Sequence, residues 1–370
     1  MDNAKTIEMK RSAFQSQLRN LDQDQLDVVL EAHHRFVRGE LGVRAYLRAA
    51  DLKGLDLSER MLSEADFSDS ILTDTEFEGS ILERASFYRA DLRGSNLTGA
   101  NLRYANLRGA RLSSAVMNHA LMDGADLKGA ILVNLDGPGV VAAGGRRQKP
   151  PVRSADCTNC SMRGVRLTDA NLSGVNFSGA ILEGADFHGA RLTGANFEGA
   201  VLTGVPVESL PFTQAQLSHC VLDPSQSARD KAPLLMAALE QAHAWVTTAG
   251  SRGEPAVLDG EDLRPIAQSL TGLSLAGLSA AGVCAIGVDF SGCRLDGANF
   301  EGADLRCAKF DGAILRGASF KNAKLSHARF KSAILEPLIL SDGRRHPPNF
   351  QGAELAGADF TTIIGDAPAI

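Results

Sequence analysis

A period of five residues governs this chain. From Ala45 it reads AYLRA ADLKG LDLSE RMLSE ADFSD, and Leu, Phe or Met fills the third place of every unit from Leu47 to Leu132, 18 units without a break. The pattern returns from Cys157 to Leu222, from Phe290 to Leu340 and from Phe350 to Phe360. Five matches neither the helical period of 3.6 nor the strand period of 2. In extended chain, residues two apart point the same way. The large apolar residue, here called the centre, therefore shares the inner side with the small residue two places before it, as at Ala65, Ala90 and Ala100. The residue between them, often Asp or Asn, faces out. The last two residues must turn the chain, or the next unit would present its apolar side to water. They are turn-tolerant pairs such as Lys53-Gly54, Arg93-Gly94 and Thr98-Gly99, with glycine where a turn asks for positive φ. One corner per five residues predicts a coil with flat sides and a filled interior.

Aromatic spacing sets the number of sides. Phe67, Phe77 and Phe87 are ten apart, and so are Phe177, Phe187 and Phe197. Phe290, Phe300, Phe310, Phe320 and Phe330 follow the same rule, with Leu295, Leu305, Leu315, Leu325 and Leu335 between them. Phe thus takes every second side and stacks on Phe only if the number of sides is even. Two sides leave no room for a core, so four fits. These units resemble the pentapeptide-repeat family, whose loose consensus is A(D/N)LxG. The resemblance covers about two thirds of the chain. It implies a right-handed quadrilateral β-helix with four repeats per coil; with the breaks in the repeat, the expected fold is an all-β solenoid of two such stacks, each preceded by a short helical cap.

The breaks in the repeat give the expected organisation. Residues 1–44 form an N-terminal helical cap, with a helix from Gln23 to Arg38 whose stripe is Leu26, Val29, Leu30, His33 and Phe36, and a weaker helix at 5–20. A first β-helix follows at 45–224, interrupted by an exposed loop at 134–154 that keeps the register of the centres on either side. Residues 225–257 are a helical linker or cap, with Leu234, Leu235, Ala238, Leu239, Ala242 and Trp245 at helical spacing. A second β-helix occupies 258–370, with Leu270 and Leu275 as centres, Ala280 and Ala285 as undersized ones, and a loop at 341–349. LEAHHRFV at Leu30–Val37 aligns without gaps on LEQAHAWV at Leu239–Val246, which reads as an internal duplication. It assigns His34 and Phe36 in the first cap, and His243 and Trp245 in the second, to bonding and packing against the first coil.

No catalytic motif stands out: no P-loop, no GxGxxG after a strand, no GxSxG and no HExxH. Cys157 and Cys160 form a CxxC, but one is a centre and the other takes the small inward place, so core is the stronger reading than metal or redox chemistry. Cys220, Cys293 and Cys307 are likewise read at the small inward place. His33 and His34 are adjacent on a helix and point about 100° apart, so they do not share a face as metal ligands. The expectation is no cofactor, no metal, no small-molecule substrate and no enzyme. The amino terminus lacks the apolar core of a signal peptide, no apolar stretch approaches the roughly 20 residues that span a bilayer, and the six cysteines are scattered. A cytoplasmic protein with no membrane partner is expected.

Charge is the more informative signal. Ten acidic and two basic residues lie between Asp51 and Glu83, then six arginines and one acid between Arg84 and Arg111. The second run repeats the polarity, from Asp289, Asp296, Glu301 and Asp304 to Lys309, Arg316, Lys321, Lys324, Arg329 and Lys331. The candidate partner-binding residues are Arg93, Arg103 and Arg108 after their centres, Arg146, Arg147 and Lys149 in the first loop, and Arg344 and Arg345 in the second. The function expected is a non-catalytic protein–protein interaction scaffold with an unidentified protein partner, open to self-association through the ends of the β-helices. The alternative, implied by the resemblance, is a DNA mimic that binds and protects a type II topoisomerase such as gyrase. The mild net charge of −6 and the basic half of each run depart from that pattern. Nucleic-acid binding through the basic loops lacks interleaved aromatics for stacking.

Overall fold

The computed structural model describes residues 20–134, 140–141, 147–148 and 153–368. The chain divides into two compact units, Met1–Asp223 and Pro224–Ile370.

In the first unit, residue after residue is bridged in parallel to the one 20 positions on: Tyr46 to Asp66, Asp51 to Ile71, Asp56 to Glu76, Met61 to Ile81. Four five-residue units therefore complete one coil, as the phenylalanine spacing requires. The unit Asp66-Phe67-Ser68-Asp69-Ser70 shows how the backbone is satisfied. The Asp66 N–H donates to Ala45 O of the preceding coil (2.9 Å), while the N–H groups of Phe67 and Asp69 donate to Ser86 O (2.7 Å) and Tyr88 O (2.8 Å) of the following one. Ser70 N–H closes the corner on Phe67 O (3.2 Å), and Asp69 at that corner has φ 60°, the positive value that the third residue of such a turn demands. The fifth N–H, on Ser68, has no carbonyl to reach. It donates to Oδ1 of Asp66 at 3.0 Å. The same bond recurs from Thr98 to Asn96, from Lys128 to Asp126 and from Ser291 to Asp289.

This accounts for the Asp or Asn before the centre: its side chain takes the one backbone donor in each unit that the coil leaves over. In three units where that residue is something else, an aspartate one coil earlier takes over. Arg163, Ala281 and Lys331 follow Ser161, Ser279 and Arg329, and their N–H groups donate instead to Oδ1 of Asp123, Asp259 and Asp311 (2.9, 2.9 and 3.1 Å).

Centres and small inward residues together form the core of each unit. Phe67 and Phe87 stack at 5.1 Å on one side, and Phe77 from the opposite side meets both edge-on at 5.8 Å. The two phenylalanine columns thus interdigitate along the axis, in both favoured aromatic geometries. The expected core residues Phe177, Phe187, Phe197, Phe300, Phe310, Phe320 and Phe330 are all buried. Ala280 and Ala285, small for centres, are compensated by Leu278 and Val283 in the places that alanine normally holds, and all four are buried. The interior volume is exchanged within the unit rather than lost.

Insertions leave the coil intact when they add a whole number of units. The segment between β1 (Val133–Asn134) and β4 (Arg153–Ser154) includes β2 (Val140–Val141) and β3 (Arg147–Gln148), and both pairs are antiparallel. Across it the bridges run from Val116 to Asp156 and from Ile131 to Asn171, 40 residues apart rather than 20. In the second unit β6 (Leu338–Ile339) pairs with β7 (Arg345–His346) as a hairpin between β5 (Ile334–Leu335) and β8 (Ile364–Gly365). There the bridges from Ser319 to Asn349 and Lys324 to Glu354 span 30.

Some expectations need correction. Leu340 is not a centre: it lies in the hairpin, where its N–H donates to Arg344 O, and the excursion begins at Leu338 rather than at 341. The centres from Val207 to Leu217 are not coil sides. A 3-10 turn at Val207–Ser209 and a short helix α2 (Gln214–Leu217) replace them, and the bridge from Val201 to Val221 resumes the register. Near the start of the second unit a 3-10 turn at Arg264–Ile266 adds two residues, so Val257 meets Ser279 and Asp262 meets Cys284 at a spacing of 22. Cys307 is not inward but at a corner, with φ 59°. The helix expected at 5–20 lies outside the described residues except for Asn20, which is bridged in parallel to Asp51 rather than helical.

The other two helices are α1 (Gln23–Val37) and α3 (Gln226–Thr247). Asp22 and Gln25 form a capping box at the start of α1, and its buried stripe is Leu26, Leu30 and His33. The imidazole that bonds to the coil here is that of His33, not His34. His33 is fully buried, and its Nδ1 accepts the Ala45 N–H at 3.0 Å, whereas His34 is only half-buried. In α3 the expected His243 does the same, its Nδ1 accepting Ser274 N–H at 3.0 Å. The gapless alignment pairs the wrong histidine because the two helices are one residue out of step at this contact. Phe36 stacks on the His33 ring at 5.8 Å but stays partly exposed, and Trp245 is half-buried.

Candidate functional site

The arginines of the first unit do not converge. With four sides per coil, Arg93 and Arg103 lie on opposite sides and Arg108 on a third. Each environment follows from the same local rule. Arg93 grips Asp91, two residues back, through Nε–Oδ1 and Nη2–Oδ2 contacts of 2.6 Å each, and these hydrogen bonds hold its proton more firmly than usual. Arg103 Nε reaches Asp123 of the next coil at 3.3 Å. Arg108 is exposed. Arg146 and Lys149 lie outside the described residues, and Arg147 contributes its backbone to β3.

The charge polarity is largely answered within each unit. Arg48 and Arg89 pair with Asp69, Arg111 with Asp91, Arg163 with Glu183 and Arg166 with Asp126. In the second unit Lys309 pairs with Asp289, Lys321 with Glu301 and Arg329 with Asp311. Most of these partners stand one coil apart in sequence, so opposite charges face each other on the same side of the column. Exposed pairs of this kind contribute ~0–1 kcal/mol each; their larger effect is to quench a single-sign field.

The second-unit hairpin brings charged residues of distant sequence together. Arg344 is held by Asp342, its Nε 2.6 Å from Oδ2, and hydrogen bonds from Arg344 keep the Asp342 carboxyl below its ordinary value. Arg345 is exposed and lines a cleft of about 420 Å³ between the hairpin and the coil, with Arg294, Asp296, Arg316, Glu336 and Leu338. The hairpin lies close against the coil at Gly317, where a Cβ would stand 2.7 Å from Cβ of Leu338 and 3.1 Å from His346 O. Asp296 is 8% exposed. Its Oδ2 accepts Arg294 Nε at 2.7 Å, while Arg316 donates through Nε to Glu336 at 3.2 Å. Arg294, Asp296, Arg316 and Glu336 were not singled out as a site by the sequence reading. The signal was present as Asp, Arg and Glu at positions 296, 316 and 336, one coil apart.

The cysteine pair is core. Cys157 and Cys160 are fully buried, Cys160 Sγ donates to Met117 O at 2.7 Å, and the hydrogen bond with Cys160, followed by burial, pushes the Cys157 thiol well up. Burial alone raises Cys220 to about 11. Among the described residues no cluster of His, Cys, Asp and Glu could hold a metal ion, and no helix is long and apolar enough to cross a membrane.

The family model for pentapeptide repeats matches in 8 copies, over residues 62–99, 95–134, 153–189, 170–205, 286–322 and 308–336. No curated protein sequence matches the chain. Among solved structures, a pentapeptide repeat protein from the thylakoid lumen of Arabidopsis thaliana is 29% identical, covering 34% of this chain and 66% of its own length, with a TM-score of 0.21. The chain thus spans just under two thirds of that relative. QnrB1, a plasmid-mediated fluoroquinolone resistance protein, is 18% identical over 50% of this chain and 96% of its own, with a TM-score of 0.31. HetL of the cyanobacterium Nostoc, involved in regulating heterocyst differentiation, is 17% identical over 89% of this chain and 91% of its own, with a TM-score of 0.15.

Proposed function

The chain belongs to the pentapeptide-repeat family, and from that premise we propose that it is a non-catalytic scaffold for protein–protein interaction, built from two right-handed quadrilateral β-helices. The observation that carries this reading is the filled interior. Two columns of phenylalanine rings interdigitate at centroid distances of 4.7 to 6.0 Å from Phe290 to Phe360, so the column has sides to present and no internal volume for a substrate. Rigid solenoids present such sides as extended binding surfaces. The reading keeps the protein in the cytoplasm, where the two buried thiols in contact, Cys157 and Cys160, fit reducing surroundings. Proximity labelling in the native cell, with the intact chain and with a chain lacking both inserted hairpins, tests it. A defined set of proteins lost with the hairpins is expected. An identical labelling pattern from an unrelated β-helix of similar charge would contradict it.

A second reading, mimicry of DNA toward a type II topoisomerase such as gyrase, draws on the acid-rich first coils, where Glu76 and Glu78 are exposed. The cross-coil ion pairs weaken it. A supercoiling assay in which the purified chain leaves gyrase unaffected removes it.

A further inference from the structure

We propose that the cleft beneath the second-unit hairpin is a docking site for an acidic residue of an extended peptide, which deepens the scaffold reading by giving one partner contact its chemistry. Two independent features point there. The first is charge: three guanidiniums, of Arg294, Arg316 and Arg345, face two carboxylates, of Asp296 and Glu336. Arg345 makes no ion pair among the described residues. The cleft therefore carries a surplus positive charge at its mouth. The second is a buried acceptor to which the protein brings no donor. Oδ1 of Asp296, on a side chain more than nine-tenths buried, has no hydrogen-bond donor. Nη1 of Arg316 stands 3.9 Å away, beyond hydrogen-bond reach. Leaving a buried carboxylate oxygen unsatisfied is costly, and a ligand that supplies an N–H removes that cost.

A peptide carries both complements a few bonds apart. A Glu or Asp side chain accepts from Arg345, in a geometry the planar guanidinium favours, and a neighbouring backbone N–H donates to the buried Asp296 Oδ1 once the half-exposed Arg316 side chain, whose Nη1 stands beside it, turns aside. Leu338 and the hairpin backbone form the wall along which such a segment lies. A basic peptide meets Arg345 with like charge and is excluded.

The test uses the full chain and fluorescein-labelled Gly-Ser-Glu-Ser-Gly, with counterparts carrying Gln or Lys in place of Glu and one N-methylated at the amide after Glu, read by fluorescence anisotropy. The Glu peptide should bind, the Gln and N-methyl peptides roughly tenfold or more weakly, and the Lys peptide not at all. Arg345→Ala should abolish the preference for Glu, and Arg345→Glu should reverse it toward Lys. Lys321→Ala, an equal change of charge on a neighbouring side of the coil, should leave it in place. Arg345 is a surface residue, and circular dichroism checks that the variants stay folded. Absence of binding by the Glu peptide, or binding that survives Arg345→Ala, overturns the cleft as an acidic-peptide site. Either result leaves the scaffold reading to its own labelling experiment, whose failure is separate.

Discussion

A single backbone N–H per unit explains the most recurrent polar residue of this chain. Asp66 and its equivalents are retained outside the coil because Ser68 N–H has only their Oδ1 to bond. Asp66→Ala should therefore cost about 0.5–1.5 kcal/mol, while Asp66→Asn, which keeps the acceptor, should cost much less; denaturant unfolding of both variants reads the difference. Inside, Phe310 touches Phe290, Phe300, Phe320 and Phe330. Phe310→Ala should lose about 3–5 kcal/mol because neighbours fixed on four sides cannot collapse into the cavity, measured by the same unfolding experiment. At this scale the sequence was legible wherever burial decided the residue. It misled at Cys307 because a residue type common in cores was weighed above the register: two places after the centre Leu305, Cys307 falls at the turn that the period of five assigns.

On each of the two long helices one imidazole bonds to a backbone N–H of the coil. His33 lies between the Ala45 N–H it accepts and the backbone of Leu62 and Ser63, with Arg44 and Glu64 the charged groups nearby. Desolvation is the largest influence on it and lowers its pKa from the ordinary 6.5; the Leu62 and Ser63 carbonyls and Glu64 pull the other way. A histidine whose folded value is depressed binds fewer protons folded than unfolded, so its contribution is full above pH 6.5 and is lost as pH falls from there through the lowered value. Unfolding midpoints measured from pH 7.5 to 5 (chosen to bracket 6.5) should decline, and His33→Gln, whose amide oxygen can accept the same N–H without titrating, should flatten the decline. The sequence indicated a histidine clip on each helix but named His34. The stripe of Leu26, Leu30 and His33 was already in the sequence, and weighting that helical spacing above the gapless alignment would have named the right residue. The same preference for pattern counted Leu340 as a centre: it keeps the period of five, yet the chain has left the coil in a hairpin.

At the scale of each whole unit, register is what the fold protects. The segment from Asn134 to Arg153 is as long as one full coil, since bridges across it span 40 residues instead of 20. Deleting it should leave the circular dichroism spectrum and the unfolding midpoint of the first unit nearly unchanged, whereas deleting half a unit elsewhere should turn every following centre toward water. This much of the architecture was readable because a filled, four-sided coil admits few alternatives. The cleft beside Arg345 was not, because it joins positions 296, 316 and 336 of successive coils to a hairpin whose fold back onto the coil depends on Gly317. The account rests on residue i lying beside residue i+20 and across the column from residue i+10. Nitroxide labels at Arg108 and Lys128, both exposed on one side, test this directly by continuous-wave electron paramagnetic resonance. Strong dipolar broadening is predicted for that pair, as for adjacent coils about 4.8 Å apart, and little for labels at Arg108 and Asn118. Broadening in the second pair and its absence in the first would contradict the four-sided column and everything drawn from it.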